Sequence, residues 1–395
     1  ILIYDSTFAG DAGFGEFAAI GVPAQAIVKK LFTGEKEGAI NLIRNSVMIG
    51  VLFELYGFDN GSEFVKEIYG KQFSLKKEIM EKNLRAYEAG RNYVQERPCM
   101  PFQEPVVLQK PAKKRLLITG NEAMSISALN SGLALYTGYP ITPASSILEF
   151  MEKNLRNFGG VSLQCEDEIA AAMAALGASY GGANAFDATS GPGLSLKIET
   201  IGHAGMTETG LVIIDVQRAG PSTGMPTKTE QSDLLLAIFG HHGDIPKIVF
   251  APGNVQECFD AIPRSLYLAR KYQLPVIVLT SLDIAEGWST TDEFNLNNPF
   301  ELKLDWHPGP KTGPSDLHER YALTESGISS IALPGEKRKI FKMGGVEHDE
   351  YGFGTTKPAL RRAMMDKRLK KTRTFLKEDF QMPKFYGPDR SEALL

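Results

Sequence analysis

From residue 115 onward, short apolar runs alternate with amphipathic stretches. RLLITG (115–120), VSLQ (161–164), AFDAT (185–189), GLVIIDVQ (210–217) and LPVIVLT (274–280) have the length and apolar character of strands. Between them the spacing predicts helices from Asn121 through Tyr136, from Ala144 to Asn157, from Glu166 to Tyr180 and from Asn254 to about Tyr272. Strands alternating with helices at this interval predict an α/β fold built on a parallel sheet covered on both faces. The first hundred residues differ. After the strand-like ILIYDS, the segments VPAQAIVKKLF, EGAINLIRNSVMIGVLFELYG and SEFVKEIYGKQFSLKKEIMEKNLRAYEAGRNYVQE carry helical spacing, as in a small, mostly helical remnant of an α/β domain. RPCMPFQEPVVLQKPAKKR (97–115), with four prolines and a basic end, reads as a linker. Past residue 290 the pattern changes again, to NNPF, HPGPKTGPSD and a basic helix from about Pro358 to Asp379, expected to be a solvated face or a subunit contact. The expected division is 1–96, a linker at 97–115, a sheet domain at 116–290 and an extension at 291–395.

Composition narrows the function classes. At 395 residues the chain exceeds one compact core and implies two or three domains. Its net charge of −4 gives no overall footprint for nucleic acid. Cys99, Cys165 and Cys258 form no CxxC, so neither a zinc ribbon nor an iron–sulfur cluster is expected on this chain's thiolates alone, and a reducing, cytoplasmic location fits. No uninterrupted apolar stretch approaches eighteen residues and no signal peptide is visible, so neither membrane insertion nor export is expected. The sequence opens without Met, directly on a strand-like run, so either its start was removed or residue 1 lies inside a larger protein.

In open parallel sheets, ligands sit beyond the carboxyl ends of the strands. Here the corresponding loops are polar and glycine-rich: TGYPITPAS, CEDEIA, TSGPG and QRAGPSTGMPTKTEQSD. In GYPITP, Thr142 either caps a helix, with Pro143 at its first position, or offers its hydroxyl to chemistry. TSGPG (189–193) is either a tight turn or a place where backbone approaches a ligand at a helix start. On a helix starting near Glu166, Ala171, Ala172 and Ala175 share the face of Glu168, which sets one carboxylate at the end of a small-residue stripe. That stripe serves either close helix packing or a ligand. EHDEYG (347–352) resembles metal ligands, but no second cluster faces it in sequence, and no metal site is assigned. His241 and His242 in FGHHGD suit either an exposed loop or contact with a second substrate carboxylate.

Taken together and in order, GYPITPAS, EDEIAAAMAALGAS, ATSGPGLSLKIE, AGMTETGLVIIDVQRAGPSTGMPTKTEQSDL and EHDEYG resemble the α subunit of 2-oxoacid:ferredoxin oxidoreductases, most like the 2-oxoglutarate type. The likeness runs from about residue 115 to the end, and the first hundred residues resemble the later part of a γ domain fused ahead of it. The resemblance implies a thiamine-diphosphate pyrimidine-binding domain at 116–290, a partial γ-like domain before it and an extension leading toward a further domain. It implies CoA-dependent oxidative decarboxylation of a 2-oxoacid, with pyruvate, branched-chain 2-oxoacids and indolepyruvate as rival substrates and a non-catalytic scaffold as the rival of another class. A partner β subunit would supply the diphosphate and Mg²⁺ site and an iron–sulfur cluster, ferredoxin would accept electrons and coenzyme A the acyl group. Glu168, nine positions before Gly177, would face N1′ of the aminopyrimidine, and its alanine surroundings would disfavour the ionised form. Thr189, Ser190 and Gly191 would line the cofactor. Arg218 would bind the substrate carboxylate, Thr142 would hydrogen-bond substrate and Thr227 would lie near it.

Overall fold

The computed structural model describes residues 2–9, 19–58, 61–97, 113–297, 300, 317–337 and 339–383. Most of the expected linker (98–112) and the HPGPKTGPSD stretch lie outside the described residues. The chain divides into two compact units, Ile1–Ala112 and Lys113–Leu395.

The first unit contains β1 (Leu2–Asp5), α1 (Ser6–Ala9), β2 (Ala19–Val22), α2 (Ala24–Leu31), α3 (Glu37–Leu55), α4 (Gly61–Gln72) and α5 (Lys77–Gln95). β1 and β2 pair in parallel. α3 and α5 meet at two glycines: a Cβ on Gly50 would lie 2.0 Å from the Tyr87 carbonyl oxygen, and one on Gly90 would lie 2.0 Å from that of Val47. Only hydrogen fits at either place, so the two backbones touch. Among the described residues, α3 is the one helix long and apolar enough to cross a membrane by length and composition. Here its Ile40, Ile43, Val47 and Val51 sit in the unit's own core with Val22, Val28 and Ala86.

The second unit runs β3 (Leu116–Ile118), α6 (Gly120–Asn130), β4 (Leu135–Gly138), α7 (Ser145–Asn154), β5 (Val161–Gln164), α8 (Glu168–Tyr180), β6 (Ala185–Thr189), α9 (Gly191–Leu196), α10 (Ile198–Met206), β7 (Leu211–Gln217), α11 (Leu234–Phe239), β8 (Ile248–Phe250), α12 (Val255–Tyr272), β9 (Pro275–Ser281), α13 (Leu282–Glu286), β10 (Ser289–Thr291) and α14 (Pro358–Glu378). Six strands form one sheet, in the order β5-β4-β6-β7-β9-β8, and every pairing is parallel. β3 lies outside it, paired antiparallel with β10 in a separate ribbon. The strand faces alternate as the pleat requires. Phe186, Ala188, Val212, Ile214, Val216, Val276 and Val278 pack with side chains of α6, α7 and α12. Ala185, Leu211, Ile213, Ile277 and Leu279 pack on the other face with α8, α9, α10 and α11.

Three expectations are corrected. The helix expected through Tyr136 ends at Asn130, and β4 occupies 135–138. Gly132, at φ +67°, turns the chain there, and β4 is then paired by β5 on one side and β6 on the other. That helix starts with Thr119 as its cap, in a reciprocal pair with Glu122, and not with Asn121. α14 is not a solvated face throughout: Lys367, Arg368 and Lys371 are each about 1% exposed.

Candidate active site

Glu168 is the first residue of α8, immediately after the short connection from β5. Asp167, not Glu166, caps the helix, its Oδ1 accepting from the Ala170 N–H at 2.8 Å. Glu168 is 8% exposed, and Ala171, Ala172 and Ala175 are fully buried. Two buried side chains grip the first turn of α8 from below: Thr137 Oγ1 donates to the Ala171 carbonyl at 2.8 Å and Lys197 Nζ to the Glu168 carbonyl at 3.1 Å.

The TSGPG segment, which runs from the end of β6 into the first turn of α9, folds back against this acid. Thr189 ends β6, and both it and Ser190 are fully buried, with the Ser190 hydroxyl lacking a hydrogen-bond partner. A Cβ on Gly193 would lie 2.0 Å from Thr189 Oγ1 and 3.0 Å from Glu168 Cγ, and one on Gly191 would lie 2.5 Å from Asp233 Oδ2. The loop after β7 thus reaches the start of α9. Gln217, the last residue of β7, ties the loop after β7 to β9, accepting from the Asp233 N–H at 3.0 Å and donating to the Thr280 carbonyl at 3.2 Å.

Arg218, directly after β7, is 6% exposed. Its Nη1 donates to the Thr142 carbonyl at 2.7 Å and its Nη2 to the Thr223 carbonyl at 3.0 Å, while Nε has no partner. Burial lowers its pKa. The guanidinium therefore braces the loop after β4 to the loop after β7. Thr142 does not cap α7: the cap position belongs to Ala144, which makes no side-chain cap bond. Thr142 itself is exposed, as is Thr227 within the exposed stretch 221–230.

The sequence reading missed the charges beneath these loops. Asp187 on β6 and Asp215 on β7 point to the α8 face of the sheet and are fully buried, as is Lys197 between α9 and α10. Lys197 Nζ lies 2.9 Å from Asp187 Oδ2. Burial pushes the Asp187 carboxyl up to about 6 against the pull of Lys197, and the Glu168 carboxylate adds to the push. Asp215 is raised well above the usual range, first by burial and then by Asp233, and neither of its oxygens has a hydrogen-bond partner. The available signal was a single Asp inside otherwise apolar strand runs, AFDAT and LVIIDVQ.

Other singled-out residues do not join this group. His241 follows α11 on a loop that leads into the amino end of β8, the sheet edge opposite the carboxyl-end loops. EHDEYG is a turn: Asp349 Oδ1 accepts from the Tyr351 and Phe353 N–H groups, and Glu347 pairs with Arg361 and Arg368.

Residues 126–365 match the family described as pyruvate flavodoxin/ferredoxin oxidoreductase, thiamine diP-binding, and residues 1–93 match the pyruvate ferredoxin/flavodoxin oxidoreductase family. The chain belongs to the 2-oxoacid:ferredoxin oxidoreductase α-subunit family. It is 37% identical over 330 residues to the 2-oxoglutarate oxidoreductase subunit KorA of Mycobacterium tuberculosis, covering 81% of this chain and 48% of that one. To the 2-oxoglutarate synthase subunit KorA of Methanothermobacter marburgensis it is 50% identical over 236 residues, covering 60% and 61%. A solved 2-oxoglutarate:ferredoxin oxidoreductase from Magnetococcus marinus, with 2-oxoglutarate, coenzyme A and succinyl-CoA bound, superposes with a TM-score of 0.77 at 34% identity over 96% of this chain and 64% of that one. The chain spans about half to three-fifths of the length of these curated relatives.

The residues present fit the pyrimidine end of the family's cofactor. A buried acid opens a helix whose inner face is alanine, the opposing loop is glycine where a Cβ would strike that acid, and the buried Ser190 hydroxyl has no protein partner.

Proposed function

We propose that this chain is the α part of a 2-oxoacid:ferredoxin oxidoreductase that converts 2-oxoglutarate and coenzyme A to acyl-CoA and CO₂ with reduction of ferredoxin, in the cytoplasm and only together with its β subunit. In this reading residues 1–96 are a partial γ-like domain, 97–115 a linker, 116–290 the pyrimidine-binding domain and 291–395 an extension. The observation that carries it is Glu168, buried at the start of α8 above alanines with the TSGPG loop closed against it. When bound, thiamine diphosphate supplies the nucleophilic carbon that adds to the substrate's keto group. Glu168 holds a proton at N1′ of the pyrimidine, and Thr189, Ser190 and Gly191 line the ring's flank. Arg218 offers five N–H donors, of which two protein bonds use only part, and anchors the substrate carboxylate. Thr142 and Thr227 hydrogen-bond substrate from the exposed loops.

The rest of the machinery, the diphosphate and Mg²⁺ site and an iron–sulfur cluster, is assigned to the β subunit. Large apolar side chains exposed beside the site support such a partner: Ile169 and Met173 on α8, Leu196 on α9, and Leu235 at the start of α11. The 2-oxoglutarate assignment rests on the names of the relatives and on the ligand of the solved enzyme. Coexpression with the β subunit and CoA-dependent reduction of a viologen dye across a panel of 2-oxoacids tests it. A clear preference for 2-oxoglutarate is expected. A preference for pyruvate would overturn the substrate, and no turnover with any 2-oxoacid would overturn the activity.

A further inference from the structure

Lys197 has no exposed surface, yet its ammonium sits under the catalytic half of the unit. It makes two contacts that bridge three elements: the Asp187 carboxylate at 2.9 Å, two residues before the end of β6, and the Glu168 carbonyl at 3.1 Å, in the first turn of α8. It stands between α9 and α10, the helices that follow the TSGPG loop. An ammonium removed from water is costly unless its partner is fully satisfied. Here the partner is not: Lys197 meets one Asp187 oxygen as an ion pair, and neither oxygen of Asp187 or of nearby Asp215 has a hydrogen-bond partner. As a source of stability the pair is poor. As a source of geometry it is specific, because it fixes the backbone atom nearest the acid that works on the cofactor to the strand end that carries Thr189. Catalytic constellations lose about 100-fold for a misplacement of about 1 Å.

We infer that Lys197, seated on Asp187, is a positioning residue that sets where the Glu168 carboxylate stands relative to the pyrimidine. The inference deepens the proposed function and rests on it. Lys197 pairs with Asp187 and holds the Glu168 carbonyl, while the exposed carboxylate of Asp167 caps the same turn.

The test uses the complex with its β subunit. In the double variant Asp187→Leu/Lys197→Met, apolar groups of similar size replace both charges, which is often neutral or stabilising for a buried pair. The Tm is expected to stay near that of the wild type. The Kd for thiamine diphosphate, measured by titration of the cofactor-stripped complex, should rise about tenfold, and kcat should fall about 100-fold at unchanged KM for the 2-oxoacid. Wild-type Kd and kcat in this variant would overturn the inference. Lys197→Arg keeps the charge but not the reach, and it serves if the double variant fails to assemble: raised Kd and lowered kcat at wild-type Tm support the role, and wild-type values remove it. Glu168→Gln separates the two claims. If it leaves cofactor activation intact, the functional reading itself fails, whereas an inactive Glu168→Gln beside fully active pair variants removes only the role of Lys197.

Discussion

Two groups of charges are buried in the same unit, and they are satisfied very differently. Around Glu208, which adopts a positive φ of 48°, both carboxylate oxygens are taken: Lys367 Nζ lies 2.7 Å from each, and Lys371 Nζ is 2.6 Å from one. Arg320 donates to the Glu208 carbonyl as well. The cations hold the Glu208 carboxyl well below the usual carboxylate range despite complete burial. Under the candidate active site, by contrast, one ammonium serves Asp187 and the Glu168 carbonyl, while Asp215 has no partner and its carboxyl is pushed up. The first group fastens α14 to the end of α10. The second leaves polar capacity open where ligands are expected. Burial is the same in both groups; what separates them is that the carboxylate of the first is fully paired and those of the second are not.

Substitutions can break or sharpen that contrast. The largest effect is expected from Glu168→Gln in the assembled enzyme, a loss of about two to four orders of magnitude in turnover with little change in Tm, read by viologen reduction and thermal unfolding. Glu208→Gln should do the reverse. It strands Lys367, Lys371 and Arg320 without their counter-charge, and breaking a buried pair costs about 3–5 kcal/mol, visible in denaturant unfolding. The pH dependence has a defined sign here. A carboxyl lowered in the folded state contributes stability above its unfolded value near 4.5 that is lost as pH falls below it. Lys371, pulled down to about 7 by burial, opposes folding below pH 7, and that cost fades as pH rises toward 10.5. Stability of the wild type should thus climb with pH up to about 4.5 and again from about 7 toward 10.5, and in Glu208→Gln the acid-side climb should shrink.

Arg218→Lys keeps the charge but loses the planar fork, and is expected to raise KM for the 2-oxoacid about tenfold to 100-fold, measured by initial rates. The two Thr142 variants should separate: Thr142→Val raising KM several-fold and Thr142→Ser leaving it unchanged, since the hydroxyl and not the cap is at stake. Equal KM in both would reduce Thr142 to the carbonyl that Arg218 holds. The smallest expected effect is a gain. Asp215→Asn removes a buried carboxyl raised above its unfolded value, whose cost grows as pH climbs past about 4. Its Tm should exceed that of the wild type by a few degrees, ~2–4 °C, at pH 8 and match it near pH 4. A gain in stability bought with lower activity would place Asp215 with the site rather than with the core.

Much of this was legible before the fold was known. Strand and helix alternation located β5, β6, β7, β9 and α12, and the polar loops do follow the carboxyl ends of β4, β5, β6 and β7. Glu168 stood out because its alanine stripe has helical spacing, a local signal. β4 did not stand out, because LALYTG continues an apolar helical pattern and is made a strand only by neighbours on both sides. Asp187 and Asp215 showed only as single acids in apolar runs, and their meeting with Lys197 was hidden for a related reason: it depends on three separate elements. The partners of α14 were equally hidden, with Glu208 lying 159 positions before Lys367. Pairings across such separations leave no periodic trace in one sequence.

At position 193, a single hydrogen stands between the Thr189 hydroxyl and the Cγ of Glu168. Adding one methyl there is a wedge with no charge and no polarity of its own, and something must give way: either the strand end retreats or the acid swings aside. The dimension that matters in this corner is thus encoded by a missing atom, and an inventory of reactive side chains would pass over it.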